Sequence, residues 1–257
     1  MRIKKTVWIF SMVIMLATLV LIVNSRAQLN HEVIVGGADS VFVMSDELKK
    51  PLDDYNNNGI AGVEYPDIDI KDWQYILING ENPSDSYVPV LLKLNDSDVM
   101  FARDAMANLK SLLKAAKDAG FAPYVDTGYR SYSTQQNLFK QKANQLSADG
   151  AYSYNEAVQI AREMVAYPGT SDHQTGLGVD IMDKKYDTLD YSQMDKEFFK
   201  WMDENCAQYG FIKRYPSDKA DITGWDEPWH YRYVGIDAAT FIMQHGLCYE
   251  EFVVHYK

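Results

Sequence analysis

Ser171-Asp172-His173-Gln174-Thr175-Gly176-Leu177-Gly178-Val179-Asp180 is the stretch that decides the fold of this chain. It carries a histidine and an aspartate, His173 and Asp180, with two glycines between them. On a helix these two positions would lie about 10 Å apart along the axis, too far to share one metal ion. Gly176 and Gly178 argue against a helix, because glycine favours turns and close backbone approach. A tight turn would fold Asp180 back beside His173. Val179 to Met182 then reads as a short strand carrying one inward carboxylate.

The neighbouring sequence supplies a scaffold for such a turn. Upstream, Trp73 to Ile78 predicts a strand followed by an Asn79-Gly80 turn, and Tyr87 to Leu94 a second extended piece. Ser97 is expected to cap a helix running to Ala119, with Ala102, Ala105, Met106, Leu109, Leu112, Leu113 and Ala116 at helical spacing and Gly120 ending it. Phe121 to Asp126 reads as a strand that leads into Thr127-Gly128-Tyr129-Arg130-Ser131. A helix comes next, over Ser133 to about Leu146. Ser153-Tyr154-Asn155-Glu156 is a capping-box sequence opening another helix to about Ala166, and Pro168-Gly169 stops it. Downstream come a helix from about Gln193 to Tyr209, strands over Phe211–Tyr215 and Trp229–Val234, and a last helix over Ile236–His245. Helices and short strands without regular alternation predict an α+β fold with a small antiparallel sheet.

The chain has 257 residues, enough for one large or two small domains. Its formal net charge of −11 argues against non-specific nucleic-acid binding, which needs a basic surface. Arg2, Lys4 and Lys5 precede an apolar run, Val7 to Val23, interrupted by Ser11 and Thr18. Its length suits a single membrane span retained as an anchor; cleavage near Ser25-Arg26-Ala27, releasing a secreted protein, is the alternative. In either case the basic residues place everything after residue 27 outside the cytoplasm. The expected organisation is a membrane segment over 1–27, an extracytoplasmic connector over 28–72 and a catalytic domain over 73–257. Within the connector, Asp54-x-Asn56-x-Asn58-Gly59 begins like a calcium loop, but Tyr65 stands where the bidentate glutamate is needed, so a polar turn is expected. Cys206 and Cys248 are expected to be buried free thiols, although an oxidising address would permit a disulfide.

Of five histidines, His31, His245 and His255 have sufficient structural explanations. His230 differs: it lies in Glu227-Pro228-Trp229-His230, a carboxylate and an imidazole beside a rigid proline. Taken alone it reads first as a core histidine with hydrogen-bond partners. With His173 and Asp180 it makes a set of three ligands that leaves one position open, the pattern of a catalytic zinc site. Zinc lowers the pKa of bound water to about 7, and Glu227 is placed to move its proton. Arg130, in a turn after a strand, can bind a carboxylate or an oxyanion, or simply stack on its tyrosine neighbours.

Ser171-x-His173-x-x-Gly176-x-x-x-Asp180, Glu227-x-Trp229-His230 and Gly128-Tyr129-Arg130-Ser131 with Gln136 occur in an order that resembles the VanY-type zinc carboxypeptidases, which include D-alanyl-D-alanine and LD-carboxypeptidases. The flanks Ile78-Asn79, Asn82-Pro83, Tyr87-Val88-Pro89 and Pro168-Gly169-Thr170-Ser171 are similar to that family too, and the resemblance spans roughly residues 73 to 252. It implies one zinc ion held by His173, Asp180 and His230, with Glu227 as catalytic base and Arg130 steadying the scissile carbonyl. It implies substrate contacts from Ser171, Gln136 and Arg130. Gly178 stands where the family commonly has alanine and Asp172 where many relatives have glutamate; both changes are expected to be mild. The implied reaction removes the terminal D-alanine of peptidoglycan stem pentapeptides or their lipid-linked precursors, with a bearing on vancomycin resistance; a serine-type mechanism is not expected. The alternatives are an LD-carboxypeptidase cutting tetrapeptides, a non-catalytic wall-binding module, and a structural zinc domain, which would ordinarily offer four Cys/His ligands.

Overall fold

In a computed structural model of the protein the described residues are 59–60, 62–95, 97–185 and 196–256. The expected anchor, His31 and the calcium-like positions 54–58 lie outside them. In chain order the elements are β1 (Leu91–Lys93), β2 (Met100–Ala102), α1 (Met106–Asp118), β3 (Pro123–Thr127), α2 (Tyr132–Ser147), α3 (Tyr154–Arg162), β4 (Gly178–Asp183), α4 (Glu197–Asn205), β5 (Phe211–Tyr215), α5 (Ala220–Thr223), β6 (Glu227–Tyr233), α6 (Ile236–His245) and α7 (Tyr249–Val254), with short 3-10 turns between some of them. The strand from the opening stretch, β4, lies inside a four-stranded antiparallel sheet of order β3-β4-β6-β5; β1 and β2 form a separate hairpin. The fold is α+β with small antiparallel sheets, as expected.

Every residue of β4 is buried, so it carries no polar outer face. Val179 and Ile181 of β4, Trp229 and Tyr231 of β6 and Phe211 of β5 share a core with Leu109, Leu112 and Ala116 of α1 and Phe198, Phe199 and Met202 of α4. Each such buried Leu or Phe stabilises the fold by about 1.5–3 kcal/mol relative to exposure. Ile212 of β5 joins a second core with Ala238, Ala239 and Ile242 of α6 and Phe252 and Val253 of α7. Asp180, His230, Arg214 and Arg232 alternate with the first core's residues, so the sheet holds apolar packing on one side and a buried polar cluster on the other. Helices α2 and α3 pack through Phe139, Ala143 and Ala161 in a smaller cluster.

Five local expectations are corrected, the first being that Ile236–His245 is not the last helix, since α7 at Tyr249–Val254 follows it. Trp73–Tyr75 is a 3-10 turn and not a strand, because the Gln74 and Ile76 carbonyls accept from the Arg232 guanidinium. Ser97 caps no helix: its hydroxyl and backbone N–H both donate to Leu94 O within the β1–β2 hairpin, Ala102 belongs to β2, and the helix begins at Met106. The helix opened by Ser153 does carry its capping box but ends at Arg162, short of Ala166. The helix expected to reach Tyr209 ends at Asn205 and gives way to a 3-10 turn over Cys206–Tyr209, closed by Gly210 at φ 82°.

Residues 63–70, read as connector, contribute to the second core through Val63, Tyr65, Ile68 and Ile70. Tyr65 stacks on His255, with ring centroids 3.6 Å apart, and Tyr256 donates to Pro66 O. Cys206 and Cys248 are free and buried, and burial pushes both thiols up.

Candidate metal centre

The local fold of the opening stretch explains how its histidine and aspartate meet. Asp172–Thr175 form a single 3-10 turn, closed by Gly176 in the left-handed region at φ 70°. An L side chain there would be strained and would also strike Pro89. The chain then reverses into β4, which returns Asp180 to within 3.3 Å of His173 Nε2. On the neighbouring strand His230 is the register partner of Asp180, and its Nδ1 lies 2.9 Å from Asp180 Oδ1. His173, Asp180 and His230 are all buried, and one ligand atom from each lies within 4.8 Å of the others.

This donor set fits zinc. Bonds of about 2.0–2.2 Å in a tetrahedron place ligand atoms about 3.4 Å apart, near the observed His173–Asp180 spacing. The nitrogens that face away from the group are fixed by other partners. His173 Nδ1 lies 2.9 Å from the Gly128 carbonyl, leaving Nε2 as the free donor atom. His230 Nε2 lies 3.1 Å from Asp172 Oδ2, leaving Nδ1 facing Asp180. Such outer partners orient ligating imidazoles in metal sites.

Glu227 reaches the same site by an irregularity in the sheet. Residues three apart on a regular strand point to opposite faces. Between the pairs Lys213↔Tyr231 and Tyr215↔Glu227 the register shifts: β5 advances from 213 to 215 while β6 runs from 231 to 227. This bulge leaves Glu227 Oε2 3.7 Å from His230 Nδ1. Burial raises the Glu227 carboxyl to about 7, while the field of His230 favours its charged form. Burial also disfavours a charged His173. Burial acts against a charged His230 too, but the hydrogen bonds to Asp172 and Asp180 outweigh it and raise that imidazole to about 9.

These residues line a cavity of about 220 Å³ with Arg130, Ser171, Tyr215, Trp225 and Trp229, walled on one side by Leu138, Met164, Val165 and Ala166. Arg130 sits in the β3–α2 loop. Its Nη1 donates to Gln135 Oε1 at 2.9 Å, Gln135 Nε2 donates to Ala166 O at 2.7 Å, and the Arg130 backbone N–H donates to His173 O. Burial lowers the Arg130 pKa, against the fields of Asp180 and Glu227. Ser171 is buried at the cavity wall. Gln136 is half-buried on α2 and is not among the cavity-lining residues; its neighbour Gln135 is the one that holds Arg130.

Several residues around the site carry no signal in the sequence. Asp172, read as a mild replacement, is wholly buried and accepts from Arg232 Nη1 at 2.5 Å, with Arg214 Nε 3.7 Å away. Burial opposes its charge, yet Arg232, His230 and Arg214 hold its carboxyl well below the usual range. Arg214 in turn makes a two-pronged pair with Glu250, at 2.8 and 2.6 Å. Tyr215 tilts against His230, with ring centroids 4.9 Å apart. Buried arginines and aspartates far apart in sequence have no local spacing to mark them, which is why only the fold reveals this cluster.

Three buried ligands, a neighbouring carboxylate of raised pKa and a cationic group in one cavity define a mononuclear metallohydrolase. Residues 99–236 match the family model described as VanY, D-alanyl-D-alanine carboxypeptidase. A D-alanyl-D-alanine carboxypeptidase of Enterococcus faecalis is 41% identical over 187 residues, 72% of this chain and 67% of that protein. The chain therefore belongs to the VanY family of carboxypeptidases. Among solved structures, a variant of the vancomycin-resistance D,D-pentapeptidase VanY in complex with Zn(II) is 41% identical, with a TM-score of 0.62 over 71% of this chain and 99% of that one. The LD-carboxypeptidase LdcB is 32% identical, with a TM-score of 0.62 over 74% of this chain and 92% of that one. The protein is a zinc-dependent carboxypeptidase, and the alternatives of a wall-binding module or a structural zinc domain fall away.

Proposed function

We propose that the protein removes the C-terminal D-alanine from peptidoglycan stem pentapeptides, or from their lipid-linked precursors, outside the membrane. The observation that carries this reading is the convergence of His173, Asp180, His230 and Glu227 in one cavity with Arg130. His173 Nε2, Asp180 and His230 Nδ1 would hold the zinc ion. When bound, zinc supplies a Lewis acid for the scissile carbonyl and acidifies a water molecule. Glu227 takes a proton from the attacking water on its carboxylate and passes it to the amine nitrogen of the departing D-alanine. Burial raises the Glu227 carboxyl in the metal-free site, the direction that suits a group that must take up a proton and give it back. Arg130, braced by Gln135, presents its guanidinium to the oxygen on which negative charge develops. Leu138, Met164 and Val165 give the cavity an apolar wall beside these groups. Ser171 and Gln136 are the proposed substrate contacts besides Arg130.

Residues 7–23, behind Arg2, Lys4 and Lys5, would hold the enzyme to the membrane with its catalytic domain outside, or be removed near Ala27 on secretion. Among the described residues no helix is long and apolar enough to cross a membrane. Removing the terminal D-alanine would also remove the D-alanyl-D-alanine end that vancomycin recognises, the proposed link to resistance.

The likeness to LdcB favours a second reading, cleavage of stem tetrapeptides with the same ligands and base. Mass spectrometry of products from pentapeptide, tetrapeptide and free D-alanyl-D-alanine separates the two. Preferential loss of one D-alanine from pentapeptide supports the first reading; turnover confined to tetrapeptide replaces it with the second.

A further inference from the structure

A second cavity, of about 420 Å³ against about 220 Å³ at the metal centre, shares no lining residue with it. Its size falls in the range of about 300–1,000 Å³ typical of small-ligand sites. Trp73 and Tyr75 of the 3-10 turn and Tyr87 give it aromatic walls, and Lys71, Asp72 and Asn82 give it polar groups. Trp73 is 42% exposed, although indoles are usually well buried. It stacks on Tyr233, with ring centroids 6.0 Å apart and planes 14° from parallel. An indole held by one stacking partner and left this open presents its remaining surface to a ligand.

The groove is preformed. The Gln74 and Ile76 carbonyls accept from Arg232 Nη2, so the turn that carries Trp73 cannot drift without breaking buried hydrogen bonds. Arg232 Nη1 also donates to Asp172, next to the metal ligand His173. The Tyr87 carbonyl accepts from Gln174 in the turn that holds His173. The groove and the metal centre are thus fixed to one framework.

The polar groups select the occupant. Lys71 and Asp72 carry opposite charges and leave the groove without a net charge for a phosphate or a lipid headgroup. A wholly apolar partner would bury both charges without compensation. A pyranose ring meets both features: its C–H face stacks on an indole, and its edge offers hydroxyls that donate and accept. An N-acetylhexosamine adds an amide and no charge.

We propose that this groove is a glycan-binding subsite, in which Trp73 stacks on an N-acetylhexosamine ring of the strand that bears the stem peptide. The choice of polymer rests on the peptidoglycan substrate given under the proposed function. A ring further along the strand serves as well as the one bearing the cut peptide, because the polymer repeats. Two attachments on one chain make the second intramolecular, so glycan-linked pentapeptide should bind more tightly than free pentapeptide.

The test uses the full, zinc-loaded chain with Trp73→Ala and Trp73→Phe. Calorimetric titration with the tetramer of N-acetylglucosamine, which carries no peptide, reads the groove alone. Saturable binding by the parent, weakened at least about tenfold in Trp73→Ala and largely restored in Trp73→Phe, is expected. KM for D-alanine release is then compared between free pentapeptide and pentapeptide on uncrosslinked glycan strands. The parent should favour the glycan-linked form at least about tenfold, and Trp73→Ala should lose that preference. No binding of the tetramer by the parent would overturn the proposal, as would a KM that rises equally on both substrates in Trp73→Ala. Self-association that Trp73→Ala abolishes, without tetramer binding, would assign the groove to a second copy of the chain instead. Tetramer binding lost in Trp73→Ala, in a parent that cuts neither substrate, would support the groove and refute the carboxypeptidase reading.

Discussion

Asp180 and His230 are register partners on adjacent antiparallel strands, with Asp180 Oδ1 2.9 Å from His230 Nδ1. Two of the three metal-binding side chains are thereby set by backbone pairing in the centre of the sheet, and the third, His173, by a 3-10 turn anchored to the Gly128 carbonyl. Rigid elements of this kind hold a site more tightly than loops can. Asp180→Ala should leave the sheet intact and remove the metal. Zinc content measured by atomic absorption should fall from about one ion per chain to a small fraction of that, with turnover lost in parallel.

Glu227 touches the site without completing the ligand set, so Glu227→Gln should retain zinc and lose chemistry. Turnover is expected to fall by about 10²–10⁴-fold, the range for a positioned acid–base group. Zinc retention and kcat measured on the same sample check both halves.

Metal uptake should depend on pH with a defined sign. In the metal-free protein, Asp172 and Asp180 raise the His230 imidazole to about 9 against the opposing effect of burial. A metal needs the neutral ring. Below that pKa the ion must therefore displace a proton, and zinc affinity should rise by about tenfold per pH unit between about pH 6 and 8. Isothermal titration calorimetry in buffers of different ionisation enthalpy would register the released proton. An affinity flat across that range would contradict a protonated His230 in the metal-free site.

Gln135 braces Arg130 and is itself tied to Ala166 O. Gln135→Ala should free the guanidinium and leave the Ala166 carbonyl unpaired, at a cost of about 1–3 kcal/mol in stability. Arg130→Ala should lower kcat by about 10²–10³-fold if the guanidinium meets the oxyanion. Gln135→Ala should show a smaller kinetic loss in the same direction, measured on stem pentapeptide.

The Arg214–Glu250 pair is buried and bonded twice. Glu250→Gln would remove the two-pronged partner of Arg214, leaving it only Asp172, 3.7 Å away and shared with Arg232, and should cost up to about 3–5 kcal/mol, read as a drop in melting temperature. Zinc binding at saturating metal should recover part of that stability, since a ligand that binds the native state stabilises it by mass action.

Part of this site is legible in local spacing and part is not. The turn at Gly176 is legible because a helix would separate His173 from Asp180 and glycine relieves the reversal. The α6 helix, Ile236–His245, is legible to the residue because its apolar periodicity is bounded by glycines on both sides. Helical spacing misleads over residues 97–105: Ala102 and Ala105 fit the pattern, but a hairpin captures Met100–Ala102 first. Trp73–Ile78 has strand composition, yet the Arg232 guanidinium takes the carbonyls a ladder would use. Glu227 stands out by its spacing to His230, although on a regular strand that spacing would point it away; the bulge that brings it back is a tertiary feature. Gly178 looks in sequence like part of the turn and a harmless small residue. It lies inside β4, and the side chains beside it, Asp172 and His230, come from outside that strand.

Zinc-dependent chemistry at this site is tested most directly by D-alanine release from a stem pentapeptide. Release is measured for the full chain before metal removal, after zinc is stripped by a chelator, and after stoichiometric zinc is restored. A zinc carboxypeptidase should release D-alanine in the first state, fail to in the second and recover in the third. Undiminished release from the stripped protein would contradict it.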